Sequence, residues 1–310
     1  PNKQGKASSH GSPLGEDEIK LVRKKLKWEH EPFKIPIDLF NEWRKIGEKA
    51  SQKAENHERK YKKIFSEINL TDNLYNSIEK TKNDYLENSK PLATRKSSEM
   101  FLEIVSKLPN LIGGSADLEP SNYTSNFAKN YHDFTASNQS GRNIPFGVRE
   151  FPMASMMNGM SLHGGVIPFG GTFLVFADYE RPALRLGSIQ SVRLIHEFTH
   201  DSFFVGEDGP THQPIEHAMA LRMIPNFNVF RPADAKETAV CFKLAMESHE
   251  TPSALLLTRQ GVPVFDSSID IIIDGVSKGA YTIYASDNPE LIFLATGSEV
   301  SLAIAVAQKM

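Results

Sequence analysis

VRLIHEFTHDSFFVGEDGPTHQP, residues 192–214, runs from an apolar stretch, Val192 to Ile195, into a charged loop. The loop offers His200 and His212, which exchange protons near neutral pH, and Asp208, whose carboxylate can hold a hydroxyl. Gly206 and Gly209 let backbone come close to a ligand. The same order recurs along the chain. Leu111–Ile112 leads into GGSADLEPSN, Asn228–Phe230 into RPADAKE, and Ala254–Leu257 into TRQG. Short apolar runs alternating with helical segments predict an α/β fold with a parallel sheet. Ligands of such sheets sit beyond the carboxyl ends of the strands. The clusters Ser115–Asp117, His200–Asp201, Arg231–Asp234 and Arg259–Gln260 all fall at that position.

Within the opening stretch, HEFTH at 196–200 matches the H-E-x-x-H zinc signature, which needs both histidines on one helical face. Its flanks read as strand and loop. In a strand the two rings are roughly 13 Å apart at ~3.3 Å per residue, so the match reads as coincidental. Glu216 is the third ligand that could be nominated.

Working outward, residues 1–15 read as loop, broken by Gly5, Gly11, Pro13 and Gly15. EDEIKLVRKKL, 16–26, predicts a helix with acids in its first turn and bases in its last, as the helix dipole favours. A second helix restarts at Pro36, and a Lys/Glu-rich stretch of low apolar content continues to about Lys80 as a solvated connector. TRKSSEMFLEIVSKL, 94–108, predicts a helix with Met100, Ile104 and Leu108 on one stripe and Phe101 beside it. IIIDGVSKGAYTIY, 271–284, reads as a strand or hairpin lead-in. ELIFLATGSEV, 290–300, reads as strand, glycine loop and helix, with Gly297–Ser298 open to an anion or a tight turn. Both termini read as positions inside a longer protein.

Composition excludes some classes. The 310 residues are 40% apolar and 24% charged with a net charge of −3, so no basic footprint for nucleic acid exists. Cys241 is the single cysteine, which excludes an internal disulfide and fits a reducing, cytoplasmic setting. It lies in a helical pattern and reads as a small core residue. No apolar run is long enough for a membrane span.

Two features remain open on residue chemistry alone. Glu150, beside Arg149, is either a surface ion pair or a carboxyl that hydrogen-bonds a cofactor ring. Phe173, Phe176 and Tyr179, spaced by three, form either the core face of a helix or an apolar slot for a flat heteroaromatic ring.

Eleven segments, in order, resemble the transketolases. They are SSHGSPLGEDEI, TRKSSE, GGSADLEPSN, FGVREF, MMNGMSLHGG, TFLVFADY, FTHDS, GEDGPTHQPIEH, VFRPAD, LLLTRQ and IFLATGSEV. The resemblance covers essentially the whole chain. It implies the tail of a diphosphate-binding domain and helical linker over 1–85, a complete pyrimidine-binding domain over 86–266, and the start of a C-terminal α/β domain over 267–310. It further implies transfer of a two-carbon ketol unit from a ketose phosphate to an aldose phosphate in the pentose phosphate pathway. Thiamine diphosphate is then the cofactor, and a homodimer has its active sites between subunits.

By matched motif, the resemblance makes Glu150 the carboxyl on the aminopyrimidine, with Phe176 stacked on that ring and Phe173 and Tyr179 beside it. Asp117 and His10 lie near the cofactor. His10 and His212 line the reacting centre, Arg95, Ser121, His200 and Arg259 hold the sugar phosphate, and Asp208 selects a hydroxyl. Phe204 stands where the family usually has glycine, and Ala7 where a further histidine is common. The family's GDG…N site for diphosphate and Mg or Ca has no counterpart here, so no metal ligand is assigned and the chain alone is expected to be inactive. The alternatives are a dihydroxyacetone synthase, a deoxyxylulose-phosphate synthase or a non-catalytic pyrimidine-domain module.

Overall fold

The structure, a computed structural model, describes residues 1–66 (side chains to 60) and 91–310. The chain forms two compact units, Pro1–Glu67 and Ile68–Met310. In the first, a 3₁₀ turn at Ala7–Ser9 precedes helices α1 (Glu16–Leu26) and α2 (Ile37–Ser66). As the charge pattern predicts, α1 has Glu16, Asp17 and Glu18 in its first turn and Arg23, Lys24 and Lys25 in its last. It stops at Lys27, whose left-handed φ of 52° turns its N–H back to Arg23 and Lys24. Helix α2 starts where Pro36 accepts the Phe40 N–H at 2.9 Å. The connector read to Lys80 and the boundary at 85 extend past Ser66, outside the described residues.

The second unit runs α3 (Thr94–Val105), β1 (Leu111–Ser115), α4 (Glu119–Asn122), α5 (Ser125–Tyr131), α6 (Glu150–His163) and β2 (Ile167–Phe173). It continues α7 (Ala177–Ile189), β3 (Ile195–Thr199), α8 (His217–Arg222), β4 (Asn228–Phe230), α9 (Ala235–Glu247), β5 (Ser253–Leu257), α10 (Ile269–Ser277) and α11 (Glu299–Ala307). The five strands form one parallel sheet ordered β1-β2-β3-β5-β4, the α/β architecture expected. Successive residues of a strand face opposite sides. Leu255 and Leu257 therefore join Phe101, Phe169 and Phe242 on one face, and Ala254 and Leu256 join Leu174, Leu184 and Phe198 on the other.

Three local expectations are corrected. On α3 the deepest stripe is Ser97, Ser98, Phe101, Leu102 and Val105; Met100 and Ile104 are only partly buried. Ile269–Ser277 is a helix and not a strand, because Ser268 caps it and its face packs on α9. Residues 290–296 form no strand, since no neighbouring strand pairs with them, and Ile292 and Leu294 are exposed. β2 reads poorly as a strand because of Pro168, Gly170 and Gly171, yet it is central and fully buried. Gly170 faces Met157, whose sulfur a Cβ there would meet at 2.5 Å, and the adjoining strand has a stricter case. A Cβ on Gly113 of β1 would stand 2.0 Å from the Phe169 carbonyl oxygen.

Register aligns the site. Ser115 pairs with Gly171, Phe173 with Thr199, and Thr199 with Leu257, so three strands end side by side. Asp234 holds β4's exit by capping α9 through Glu237 N–H (2.8 Å) and accepting Phe265 N–H (2.9 Å). Cys241 is buried in the core, as its sequence context suggests.

Candidate functional site at the carboxyl edge of the sheet

Phe173 ends β2, a 3₁₀ turn spans Leu174–Phe176, and α7 follows at once. The spacing of three therefore crosses a strand end, a 3₁₀ turn and a helix start, so the single-helix reading fails. Three residues per turn eclipse i and i+3. The Phe173 and Phe176 rings accordingly stack at 5.8 Å and 7°, with Tyr179 6.1 Å beyond Phe176. Phe173 is buried while Tyr179 is exposed, which grades this wall from core to solvent.

His200 follows β3 with φ 59°, an uncommon conformation for a residue with a Cβ. Its ring lies 3.7 Å from Phe173. His212 arrives from the distal part of the loop, 6.0 Å from Phe173 and 5.3 Å from Phe176. Burial, and then the charges of Arg95, Arg259 and His212, push the His200 pKa down to about 3, so its ring is neutral at physiological pH. Arg95 is lowered by burial and, secondarily, by Arg259. Its terminal nitrogen donates to the Ser121 carbonyl at 2.7 Å, while its buried Nε has no hydrogen-bond partner. Arg259 is held at 3.0 Å by the exposed Glu207. Two guanidiniums thus crowd a neutral histidine, and an anion would relieve their repulsion.

Hydrogen bonds behind His200 were not legible in the sequence. Ser115 Oγ donates to Asn122 Oδ1 (2.8 Å), Asn122 Nδ2 donates to Thr199 Oγ1 (2.7 Å), and Thr199 Oγ1 meets His200 Nδ1 at 2.9 Å.

Other expected residues are distributed as follows. Glu150 is the first residue of α6, half-buried, on a helix that packs along α7 and β2; Arg149 is exposed and bonds the Phe146 carbonyl. Asp117 is exposed with φ 64°, and Asp208 is exposed on the loop. His10 is exposed at the end of the first unit's 3₁₀ turn. Phe203 and Phe204 form a 3₁₀ turn with rings 4.3 Å apart, the local outcome of an aromatic at 204. The Arg231–Asp234 cluster turns away: Arg231 pairs with Asp201 at 2.8 Å and holds Thr296 and Glu299. Gly297–Ser298 is a tight turn, closed by the Val300 N–H donating to the Gly297 carbonyl at 3.2 Å, and Gly297 N–H ties it to the Arg231 carbonyl.

The zinc reading of HEFTH fails on geometry. His196 lies in mid-strand, 3.3 Å from the buried Glu180, while His200 belongs to the site. Among the described residues, Asp178, Glu216 and His217 bring ligand atoms within 4.8 Å of one another, and neither HEFTH histidine is among them.

An apolar, stacked wall beside two histidines, with a carboxyl at a neighbouring helix start, fits a flat heteroaromatic cofactor ring. Comparison with known families agrees. Residues 90–264 match the transketolase pyrimidine binding domain, and residues 1–81 the transketolase thiamine diphosphate binding domain. The chain belongs to the transketolase family. It is 44% identical over 316 residues to a transketolase of Halalkalibacterium halodurans, covering 98% of this chain and 47% of that one. To a transketolase of Bacillus subtilis it is 43% identical over 317 residues, with the same coverage of 98% and 47%. Among solved structures, transketolase from Leishmania mexicana superposes with a TM-score of 0.78 at 38% identity, over 96% of this chain and 45% of the other. A Pichia stipitis transketolase in complex with sedoheptulose-7-phosphate gives 0.77 at 36% identity, over 96% and 46%. The chain therefore spans about half the length of the transketolases it matches.

Proposed function

We propose that the complete protein is a thiamine-diphosphate-dependent transketolase that moves a two-carbon ketol unit between sugar phosphates. The observation that carries this reading is the meeting of Arg95 and Arg259 on neutral His200, beside the stacked Phe173–Phe176 wall. When bound, thiamine diphosphate supplies the electron sink for carbon–carbon cleavage. This chain's residues do the rest. Arg95 and Arg259 grip the phosphate with planar donor forks, and Ser121 and His200 complete that end. Asp208 accepts a hydrogen bond from a sugar hydroxyl. His212, against the aromatic wall, moves a proton at the reacting carbonyl. Phe173, Phe176 and Tyr179 flank the ring face, with Asp117 on the thiazolium side, and His10 by its matched motif lines an active site of the assembled protein.

We assign residues 1–85 to the diphosphate-binding domain and linker, 86–266 to the pyrimidine-binding domain and 267–310 to the start of a third. A divalent cation accompanies the diphosphate on residues other than those named. A homodimer is supported by α6, which is apolar on both sides: Met153 and Met157 are buried, while Phe151, Met156 and Leu162 stay exposed. Sedimentation of the complete protein as a monomer would count against it.

Glu150 is the test residue. It serves as the carboxyl that hydrogen-bonds the aminopyrimidine and exchanges a proton with it. Glu150→Gln keeps the shape but cannot exchange that proton. In the complete, cofactor-loaded protein it is expected to slow C2-proton exchange on the thiazolium, followed by quenched NMR, by orders of magnitude with the fold intact. Exchange at the wild-type rate would remove Glu150 from this role.

A further inference from the structure

We propose that Ser115, Asn122 and Thr199 form a dry hydrogen-bond relay that fixes the tautomer of His200, so that its Nε2–H faces the substrate phosphate. The inference rests on the phosphate reading above and deepens it by adding three positioning residues.

The direction follows from the orientation of the Asn122 carboxamide, Oδ1 to Ser115 and Nδ2 to Thr199. Ser115 Oγ accepts from the Leu118 N–H at 3.1 Å and donates its one proton to Asn122 Oδ1 at 2.8 Å. With Oδ1 engaged, the carboxamide turns Nδ2 to Thr199 Oγ1 at 2.7 Å. The Thr199 hydroxyl, already accepting from Asn122, has a single proton left for His200 Nδ1 at 2.9 Å. An imidazole that accepts at Nδ1 and is neutral must carry its proton on Nε2. The low His200 pKa keeps it neutral, so a tautomer exists to be set.

The relay is built from β1, α4 and β3, and Ser115, Asn122 and Thr199 are each 0% exposed, so water does not enter it. Run in reverse, Ser115 would donate only to the Gly171 carbonyl at 3.0 Å, and His200 would donate to Thr199. Nε2 would then be a bare lone pair. A phosphate oxygen gains nothing from a lone pair but accepts readily from an N–H. The left-handed φ of His200 gives the relay a second task, because the Nδ1 bond anchors a ring whose backbone is unfavourable.

The experiment is long-range ¹H–¹⁵N NMR of the histidine rings in the complete protein, without cofactor or sugar. His200 is assigned by its loss in His200→Gln. A single neutral Nε2–H tautomer is expected. Thr199→Val, which removes the hydroxyl, is expected to give a tautomer mixture, and Thr199→Ser to restore the wild-type pattern. In the loaded enzyme, Thr199→Val is expected to raise KM for a phosphorylated ketose roughly tenfold, with the loss absent for a non-phosphorylated donor. An Nδ1–H tautomer in the wild type overturns the inference, and that spectrum is decisive even if Thr199→Val fails to fold. An unchanged tautomer in Thr199→Val overturns it too. A tautomer that responds while the phosphate KM does not overturns the relay's role in binding. Arg259→Ala separates the two readings: if it affects both donor types equally, the phosphate site itself falls.

Discussion

Strand β3 ends in two pairs of buried polar residues with opposite fates. His196 and Glu197 lie in mid-strand, Thr199 and His200 at the carboxyl end, and all four are 3% exposed or less. At the end, Thr199 Oγ1 accepts from Asn122 of α4 and meets His200 Nδ1 beside it, and the chain of contacts opens onto the site. In the middle, His196 faces the fully buried Glu180 at 3.3 Å beside the Phe198 and Phe227 rings, and among the described residues Glu197 Oε1 has no hydrogen-bond partner. Burial pushes Glu197 up to about 8, with Ser98 pulling modestly the other way. Burial likewise raises Glu180, offset in part by His196 and reinforced by the charge of Glu150. Between two packed layers a carboxyl loses its hydration, and burial outweighs the few groups that favour its charge, so both carboxyls are shifted toward their protonated form. At the strand end loops and short helices supply the partners, and polarity becomes chemistry.

The largest effect expected from this contrast is on stability. Folded Glu197 holds its proton to about pH 8, against an ordinary value of 4.5. Below 4.5 both states are protonated and no penalty exists. As pH rises toward 8 the unfolded chain ionises while the folded one cannot, so stability falls by at most about 1.4 kcal/mol per pH unit and then levels. Urea unfolding from pH 5 to 8 should show that slope, and Glu197→Gln should flatten it. Parallel slopes in the two proteins would mean that Glu197 is not the cause.

Next in size is a change at the strand end, where function and not stability should respond. Arg259→Ala removes a charge-assisted bond worth about 1.5–3 kcal/mol, so KM for phosphorylated donors should rise roughly 10- to 150-fold. The melting temperature should barely move, because Arg259 is partly exposed and paired only to a surface carboxylate. A large loss of stability with unchanged KM would erase the distinction between the two ends.

The smallest effect sharpens it. On the proposed phosphate role of Arg259, Glu207 would compete with phosphate for it, and exposed ion pairs contribute about 0–1 kcal/mol. Glu207→Gln should lower KM for phosphorylated donors by less than about fivefold, with no change in unfolding. A raised KM would show that Glu207 positions Arg259 instead of occupying it.

The carboxyl-edge polar clusters and the apolar runs before them are local patterns, so β1, β3, β4 and β5 could be read along the chain. The fate of each cluster could not. Arg231 and Asp201 read like site residues, but Arg231 pairs with Asp201, 30 positions before it, and with Thr296 and Glu299, 65 and 68 positions after it. Helix α6 escaped because an element buried on one side and apolar on the other shows no periodic stripe.

By itself the sequence determined the alternation of strand and helix, the residue types at each strand end and, through ordered motifs, the transketolase family. Those are properties of single segments: side-chain chemistry, propensity and spacing. Tertiary structure alone decided that IPFGGTF is a central strand, since its backbone pairs with β1 on one side and β3 on the other. It alone joined Ser115, Asn122 and Thr199 to His200, because hydrogen bonds follow distance in space while sequence records distance along the chain.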